Sequence, residues 1–378
     1  MVQPPLSVRV YTPLPGRRPL VSFTVELEDE QVEFTTRRNM GFDTLRVTFS
    51  RDLQRRRAYE RSGLARVIAG VRGREHVEVW AGRVVWEGQL VAVERDSGQP
   101  SAIEARGYYA ALQEVLFRTG AEANAVLPAR DIVFMAARHL PWLTAHPNDV
   151  PGPLATYPIK DFHELPVGDV IERLVRQGDG DGVAWSLYVY EGPRLAVRRE
   201  TEPEQPTYIA LEYQEKIMFE PMITRVSVQY EVEGSAVQSP SGRSILRTPV
   251  LINHAQEADT GRPIERIVQA GKISQISAAR YAAYLLGHHA APTYTARVSG
   301  ESLLGYGGVP IVPHLVRSGE WVRVGSETYV IARTTYRHGK VEVELASPWP
   351  TETEAFRVLV ESVNRLQRRQ LPLAGGRW

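Results

Sequence analysis

Glu75-His76-Val77-Glu78-Val79-Trp80-Ala81-Gly82-Arg83-Val84-Val85-Trp86-Glu87-Gly88 is the stretch that decides the fold class. Val77 and Val79 alternate with polar neighbours, Trp80 to Arg83 supplies a glycine-bearing turn, and Val84 to Trp86 resumes the apolar side. Successive side chains on a strand point to opposite faces, so this segment reads as a tight antiparallel hairpin with a buried face. The same period runs outward in both directions. Upstream it holds in Val21, Phe23, Val25 and Leu27 and again in Leu45, Val47 and Phe49. Downstream, Leu90, Val91 and Val93 carry the sheet to a Ser97-Gly98-Gln99-Pro100 turn, and Ile103 and Ala105 make the next strand. Turn signals this close together, with no long helix between them, indicate an antiparallel barrel or sandwich and argue against a parallel α/β sheet. One short helix is expected to close this first β domain, 1–120, with Tyr109, Leu112 and Leu116 on one face between Gly107 and Gly120.

From about residue 121 the period changes. Ile132, Met135, Ala136 and Leu140 fall on a helical stripe, and Val167, Val170, Ile171, Leu174 and Val175 form a stronger one, opened by Pro166 and stopped by Gly178. Val183, Trp185, Leu187 and Val189 then alternate, Glu191-Gly192-Pro193 turns, and Leu195 and Val197 pair back. The spacing predicts a small α+β domain of helices on a hairpin over 121–204, ended by the Thr201-Glu202-Pro203-Glu204-Gln205-Pro206 linker.

Alternation returns in Val226, Val228, Tyr230 and Val232, followed by a soft loop from Gly234 to Gly242. A second β domain is predicted over 205–350, split by a helical insert at about 250–290. In that insert Tyr281, Tyr284 and Leu285 share a face and Gly287 is the stop. Tyr294, Ala296 and Val298, then Val322 and Val324, Tyr329 and Ile331, and Val341, Val343 and Leu345 across the Arg337-His338-Gly339-Lys340 turn complete its strands. The remainder, 351–378, reads as a terminal helix with Phe356, Leu359, Val363 and Leu366 as an apolar seam. The fold class is therefore mainly β with an α+β insert, and helix is expected mainly at 128–178, 276–286 and 351–370.

Composition removes several function classes. A chain of 378 residues divides into about two to four domains. It has no cysteine, which excludes disulfides, thiolate zinc sites and cysteine nucleophiles. A net charge of +1 gives no global field toward nucleic acid or an acidic membrane. No apolar run approaches the ~20 residues of a membrane span, and Met1 to Pro5 lacks the pattern of a secretory signal. Folding in the cytoplasm is the expectation.

Chemical motifs are weak throughout. Asp179 and Asp181 in Gly178-Asp179-Gly180-Asp181-Gly182 lack the further oxygens a calcium loop requires. His288-His289 are adjacent and point apart on an extended chain. His139 and His146 flank Pro141-Trp142 without a glutamate at zincin spacing, which leaves capping or surface roles. Ser62-Gly63 and Ser241-Gly242 are turns, not nucleophile elbows. Gly305-Tyr306-Gly307-Gly308 lacks the lysine and helix of a phosphate cradle and reads as a flexible loop. Arg51 to Arg61 is basic but diluted by Asp52 and Glu60, with no aromatic platform. No nucleophile, base and orienter can be assembled from these motifs, so no catalytic, cofactor-binding or metal-ligating residue is assigned and no enzyme is expected. The protein is expected to need no metal to stay folded.

The order of elements resembles that of the phage tail hub family: the central hub of contractile baseplates, the late control D proteins, and the N-terminal part of tail-associated tip proteins. Three segments carry the resemblance. One is the opening hairpin leading through Ile103-Glu104-Ala105-Arg106-Gly107-Tyr108 to a short helix. Another is the helix from Val167 to Arg176 followed by Gly182-Val183-Ala184-Trp185. The third runs from Ala278 through Ser318-Gly319-Glu320-Trp321-Val322-Arg323-Val324 into the last helix. The resemblance implies two similar tube-type barrels lining a channel, a homotrimer ring that closes the end of the tail tube and adapts its symmetry, and a virion location at the tail tip. It implies as partners the tube or distal tail protein, the tape-measure protein and tip or fibre proteins, with DNA only in transit. Some relatives continue into a peptidase or a fibre; this chain stops at Trp378, so no lytic activity is expected. Two alternatives stand beside the hub: a distal tail ring protein, which the split second barrel disfavours, and a receptor- or glycan-binding module. For the latter Trp80, Trp86, Trp142, Trp185, Trp321 and Trp349 would supply stacking faces, although most sit on strand patterns and read more simply as core.

Overall fold

The computed structural model describes residues 5–12, 20–27, 31–49, 75–96, 99–120, 125–150, 156–176, 185–199, 203–218, 223–232, 244–272, 275–288 and 293–346. The expected helix over 351–370, the basic run from Arg51 to Arg61, the two serine turns, the Asp179–Asp181 loop, His289 and Trp349 lie outside them.

Seven strands open the chain: β1 (Leu6–Thr12), β2 (Leu20–Leu27), β3 (Val32–Arg37), β4 (Gly41–Thr48), β5 (His76–Trp80), β6 (Val84–Asp96) and β7 (Gln99–Arg106). They pair antiparallel in the order β2-β1-β5-β6-β7-β4-β3. The strip curls around Val8, Val10, Val77, Val79, Trp86, Ile103, Val47 and Phe34, all at most 2 % exposed. Among the described residues no pairing returns β2 to β3, so this is a half-barrel. The one-turn helix α1 (Tyr109–Leu112) follows. It is shorter than the sequence suggests: Leu116 is 42 % exposed and bridges to Pro166, while Phe117 turns into the core. The Leu165 carbonyl accepts the Phe117 N–H and so pulls that residue, not its neighbour, inward.

Residues 125–199 build a second core. It comprises β8 (Val126–Pro128), α2 (Ala129–Ala137), β9 (Thr144–Ala145), β10 (Thr156–Pro158), α3 (Val167–Arg176), β11 (Trp185–Tyr190) and β12 (Arg194–Arg199). Ile132 and Ala136 of α2 meet Val170, Ile171 and Leu174 of α3 over Trp185, Leu187 and Val189. The alternation in β11 predicts one buried face, but every residue from Trp185 to Tyr190 is buried. The reason is that its other face serves a different core: Tyr188 and Tyr190 pack into the half-barrel. Val189 pairs with Gly41 at this contact.

The third region contains β13 (Tyr208–Ala210), β14 (Gln214–Met218), β15 (Arg225–Val232), β16 (Ser244–Arg247), β17 (Leu251–Ile252), α4 (His254–Thr260), β18 (Glu265–Lys272) and α5 (Gln275–His288). It ends with β19 (Thr293–Ser299), β20 (Leu303–Gly305), β21 (Val309–Pro310), β22 (Trp321–Val324), β23 (Glu327–Arg337) and β24 (Lys340–Ala346). The central strand, β23, pairs with β24, with β22 and, over its second half, with β3. One hydrogen-bonded sheet therefore runs from the half-barrel into the third region. Phe34 and Tyr336 stack across the seam at 4.8 Å, a geometry that adds about 0.5–1.5 kcal/mol beyond area burial.

Two expectations for this region change. The strand at 226–232 does not join the large sheet. It forms a separate sheet with β16, β17 and the parallel β18, covered by Ala278, Ala282 and Leu286 of α5. Alternation marks a half-buried strand but carries no information about which sheet the strand enters. The insert at 250–290 is accordingly α+β, since β18 lies between its two helices. The buried stripe of α5 is an alanine stripe, with Tyr281 and Leu285 at its margin, because small residues let the helix sit close on β15.

Candidate functional site

Two polar clusters occupy the ground between the cores. The first is built by the turn before β22. Tyr190 Oη donates to the Ser318 carbonyl at 2.8 Å, and the Ser318 N–H donates to Thr36 Oγ1 at 2.9 Å. Gly319 has φ +83° and no room for a side chain, since a Cβ would lie 2.2 Å from the Tyr188 hydroxyl. Arg317 lies over the rings of Phe42 and Tyr190 and grips Glu191 with two arms, Nη1 to Oε2 at 2.8 Å and Nη2 to Oε1. Burial raises the Glu191 carboxyl, but the Arg317 hydrogen bonds and charge outweigh it and hold the group below its ordinary value. Glu320 goes the other way. Burial pushes it up against the opposing pull of the Arg317 N–H and the Tyr208 hydroxyl, which donate to its Oε2 at 2.9 and 2.8 Å.

The second cluster sits on the β5–β6 hairpin. The β5–β6 register sets Glu78 directly opposite Glu87, and His76 lies two residues before Glu78 on the same face. Glu78 Oε2 accepts from Tyr11 Oη at 2.6 Å and from Trp80 Nε1 at 2.5 Å. His76 Nε2 lies 2.9 Å from Glu78 Oε1, and its Nδ1 is 2.5 Å from Tyr108 Oη. These donors offset the burial that would raise Glu78 and keep it below its ordinary value. Glu87 has weaker support: the Gly192 backbone N–H and the Arg317 charge pull its carboxyl down but do not offset its burial. It is 3 % exposed and its Oε1 has no hydrogen-bond partner. Burial first, then the charges of Glu78 and Glu191, push its carboxyl up to about 8. Burial with the charges of Glu87 and Glu78 likewise raises the Tyr108 phenol. One ligand atom from each of His76, Glu78 and Glu87 can be chosen so that all three lie within 4.8 Å of one another.

Tyr108, His76 and Glu78 form a hydroxyl–imidazole–carboxylate chain. Tyr108 is buried and its ring packs on Trp142 at 5.0 Å, the reverse of the exposed hydroxyl that nucleophilic attack requires. Motif reading passed over these residues because they form no recognised string. The signal was in the register: i and i+2 on one strand with a carboxylate across the hairpin.

The residues weighed in the sequence take structural positions. His139 Nδ1 lies 3.0 Å from the Met135 carbonyl and its Nε2 accepts from the Arg118 N–H at 3.3 Å. His146 caps the turn at Pro147–Asp149 by accepting from the Asn148 N–H. His288 ends α5. The Gly305 to Gly308 segment, read as a flexible loop, is a tight hairpin turn closed by Gly308 N–H to the Gly305 carbonyl at 2.9 Å. Gly307 and Gly308 supply the left-handed backbone that turn needs, at φ +88° and +80°. Trp86 and Trp185 are core, whereas Trp80, Trp142 and Trp321 are half-buried. Among the described residues no helix is long and apolar enough to cross a membrane.

No protein-family model matches the chain, and no curated protein matches it in sequence. Solved structures do: the chain shares its fold with phage tail proteins. Prophage tail protein gp18 from Listeria monocytogenes EGD-e is 11 % identical with a TM-score of 0.50, and the alignment covers 95 % of this chain and 99 % of that one. The 43 kDa tail protein of prophage MuSo2 from Shewanella oneidensis is 12 % identical with a TM-score of 0.53, over 91 % and 98 %. A tail protein from Neisseria meningitidis MC58 gives 12 % and 0.52, over 93 % and 98 %.

Proposed function

We propose that this chain is a structural, non-enzymatic component of a phage tail, located in the virion at the tail end, where it forms the hub that closes the tube. The observation carrying this reading is that the likeness to tail proteins runs along more than nine-tenths of both chains, so whole architecture is shared and not one module. The fused cores add support, because a part that bears load between a tube and a tip must resist hinging, and the β3–β23 seam with the Arg317 junction removes a hinge between the sheets.

The half-barrel and the large sheet of the third region serve as two similar tube-type modules. A homotrimer alternating them presents six modules to a sixfold tube and a threefold face to the tip. Rings of this kind need heterologous contacts that close on themselves. Its partners are the tube or distal tail protein on one side and the tape-measure, tip or fibre proteins around it, with DNA passing only through the channel. Cryo-electron microscopy of tails assembled with this chain tests the reading: three copies in a ring at the distal end are expected. Six equivalent copies would make it the distal ring protein, and a peripheral position would make it a receptor-binding module.

A further inference from the structure

We propose that His76, Glu78 and Glu87 form a binding site for one divalent transition-metal ion, of the zinc type, on the β5–β6 hairpin. The site is independent of the tail reading. Its starting point is a placement that two ionised carboxylates cannot share without repulsion: Glu78 and Glu87 stand directly opposite on paired strands, so without a cation only one of them can carry its charge comfortably. Glu87 is buried at 3 % exposure with Oε1 unpartnered. A buried carboxylate oxygen without a donor is a rare and expensive arrangement, and a cation between the two carboxylates resolves both faults.

The surrounding donors select the ligand atoms. Tyr11 and Trp80 occupy Glu78 Oε2 and leave Oε1 turned toward His76 Nε2 at 2.9 Å. Two ligands about 2.0–2.1 Å from one ion and near a right angle are roughly 2.9 Å apart, so little movement admits the metal there. Tyr108 Oη, 2.5 Å from His76 Nδ1, fixes the ring; when a metal displaces the Nε2 proton now shared with Glu78, Nδ1–H donates to Tyr108, the outer partner a metal-bound histidine normally has. A carboxylate oxygen of Glu87 completes the set within 4.8 Å of the other two ligand atoms, and its Oε1 has no competing hydrogen-bond partner. Side-chain exposures of 15 % for His76 and 14 % for Glu78 leave a way in.

Ligand chemistry narrows the ion. One imidazole and two carboxylates suit zinc and its first-row neighbours, whereas calcium takes ~6–8 oxygens and magnesium keeps an all-oxygen octahedron. Three protein ligands leave at least one coordination position for water. Because Glu87 also faces Glu191 and Arg317 through space, the ion sits where the hairpin meets both other cores.

The test uses the full chain stripped with chelator and then titrated with zinc chloride, followed by calorimetry and elemental analysis, with cobalt(II) as a visible reporter. One equivalent of zinc is expected, with a rise in melting temperature and a cobalt absorption of low-symmetry coordination. Glu87→Gln is the decisive variant. It keeps the shape of a protonated acid, so it folds at least as well as the stripped wild type, yet zinc binding falls by about 100-fold or more and the thermal increment disappears. His76→Gln should do the same, and Tyr108→Phe should weaken binding by about 10-fold while leaving stoichiometry at one. The same affinity in Glu87→Gln and His76→Gln as in wild type would overturn the site, as would binding of calcium in preference to zinc. No binding at all would also overturn it and leave Glu87 a protonated acid only.

Discussion

Thr36 and Thr334 lie 298 positions apart in the chain, and their hydroxyls share a buried hydrogen bond of 2.7 Å. Thr36 Oγ1 also accepts the Ser318 N–H, so one side chain of the half-barrel ties down both β23 and the turn that carries Arg317. Thr36→Val preserves the shape but leaves that N–H and the Thr334 hydroxyl unpartnered, a loss of about 2–3 kcal/mol. Because β3 and β23 belong to one sheet, urea should unfold the half-barrel and the third region in a single transition, shifted to lower midpoint in the variant. Hydrogen exchange resolved by segment checks this. Protection that vanishes in β23 while persisting in β3 would show that the seam does not couple them.

The Arg317–Glu191 pair sets a prediction in acid. Glu191 is held below its ordinary value in the folded protein, so its contribution is fully present above the unfolded value of about 4.3 and is lost as pH falls through the folded one. Glu191→Gln should therefore be less stable than wild type at neutral pH by about 1.5 kcal/mol, the low end of the range for hydrogen bonds to charged groups because Glu191 is partly exposed. That gap should begin to narrow as the pH falls below the ordinary glutamate value and close as it passes through the lower folded one. Denaturant melts at a series of pH values give the answer, and a gap that stays constant would mean the pair is energetically silent.

Gly41 has φ +85°, and a Cβ there would lie 2.3 Å from the Val189 carbonyl oxygen. Alanine must both adopt a left-handed backbone and push β11 away, so Gly41→Ala should cost about 2–4 kcal/mol. Gly192→Ala has a similar φ of +73° but open space around it. Its cost should stay near 1 kcal/mol, the backbone term alone. Equal losses in the two variants, measured by thermal melts, would remove the β4–β11 contact as the cause.

What could be read from residues and what could not divide along a physical line. Period-two alternation found β5, β6, β7 and β24, and period-3.6 spacing found α2 and α3, because these patterns are local. Which sheet a strand enters is not local: Val226 to Tyr230 alternate like any half-buried strand, yet they face Ala278 and Ala282 in a separate layer. The double burial of β11 was hidden for a related reason, since Tyr188 and Tyr190 look like solvent-facing residues until the half-barrel covers them. Helix α4 was readable and passed over: Asn253 caps it by accepting from the Gln256 N–H, and Gly261 ends it in the left-handed region at φ +66°. The His76–Glu78–Glu87 cluster needed the hairpin register, which the glycine turn at Gly82 supplied, combined with side-chain parity.

The edge formed by β13, β20 and β21 leads to the last prediction. Leu211, Tyr306 and Val309 stand there at 63, 45 and 61 % exposure. The backbone beneath them is ordered by Leu211 N–H to the Ser302 carbonyl and Tyr306 N–H to the Thr207 carbonyl, both within 3.0 Å. Large apolar side chains on an ordered backbone spare a neighbour the cost of ordering the loop and leave only their own rotamer cost, about 0.5–1.5 kcal/mol each, which is the economy of a preorganised contact. Replacing Tyr306 and Val309 together with serine removes apolar surface from solvent and touches no buried side chain, so the melting temperature should stay within a degree or two of wild type. Incorporation into tails should fall by at least 10-fold if this edge contributes about 1.4 kcal/mol or more to each ring or tube contact. Quantitative immunoblots of purified particles, produced with the variant as the sole copy of the chain, measure that fraction. A variant that folds normally and enters tails as well as wild type would move the assembly surface elsewhere on the molecule.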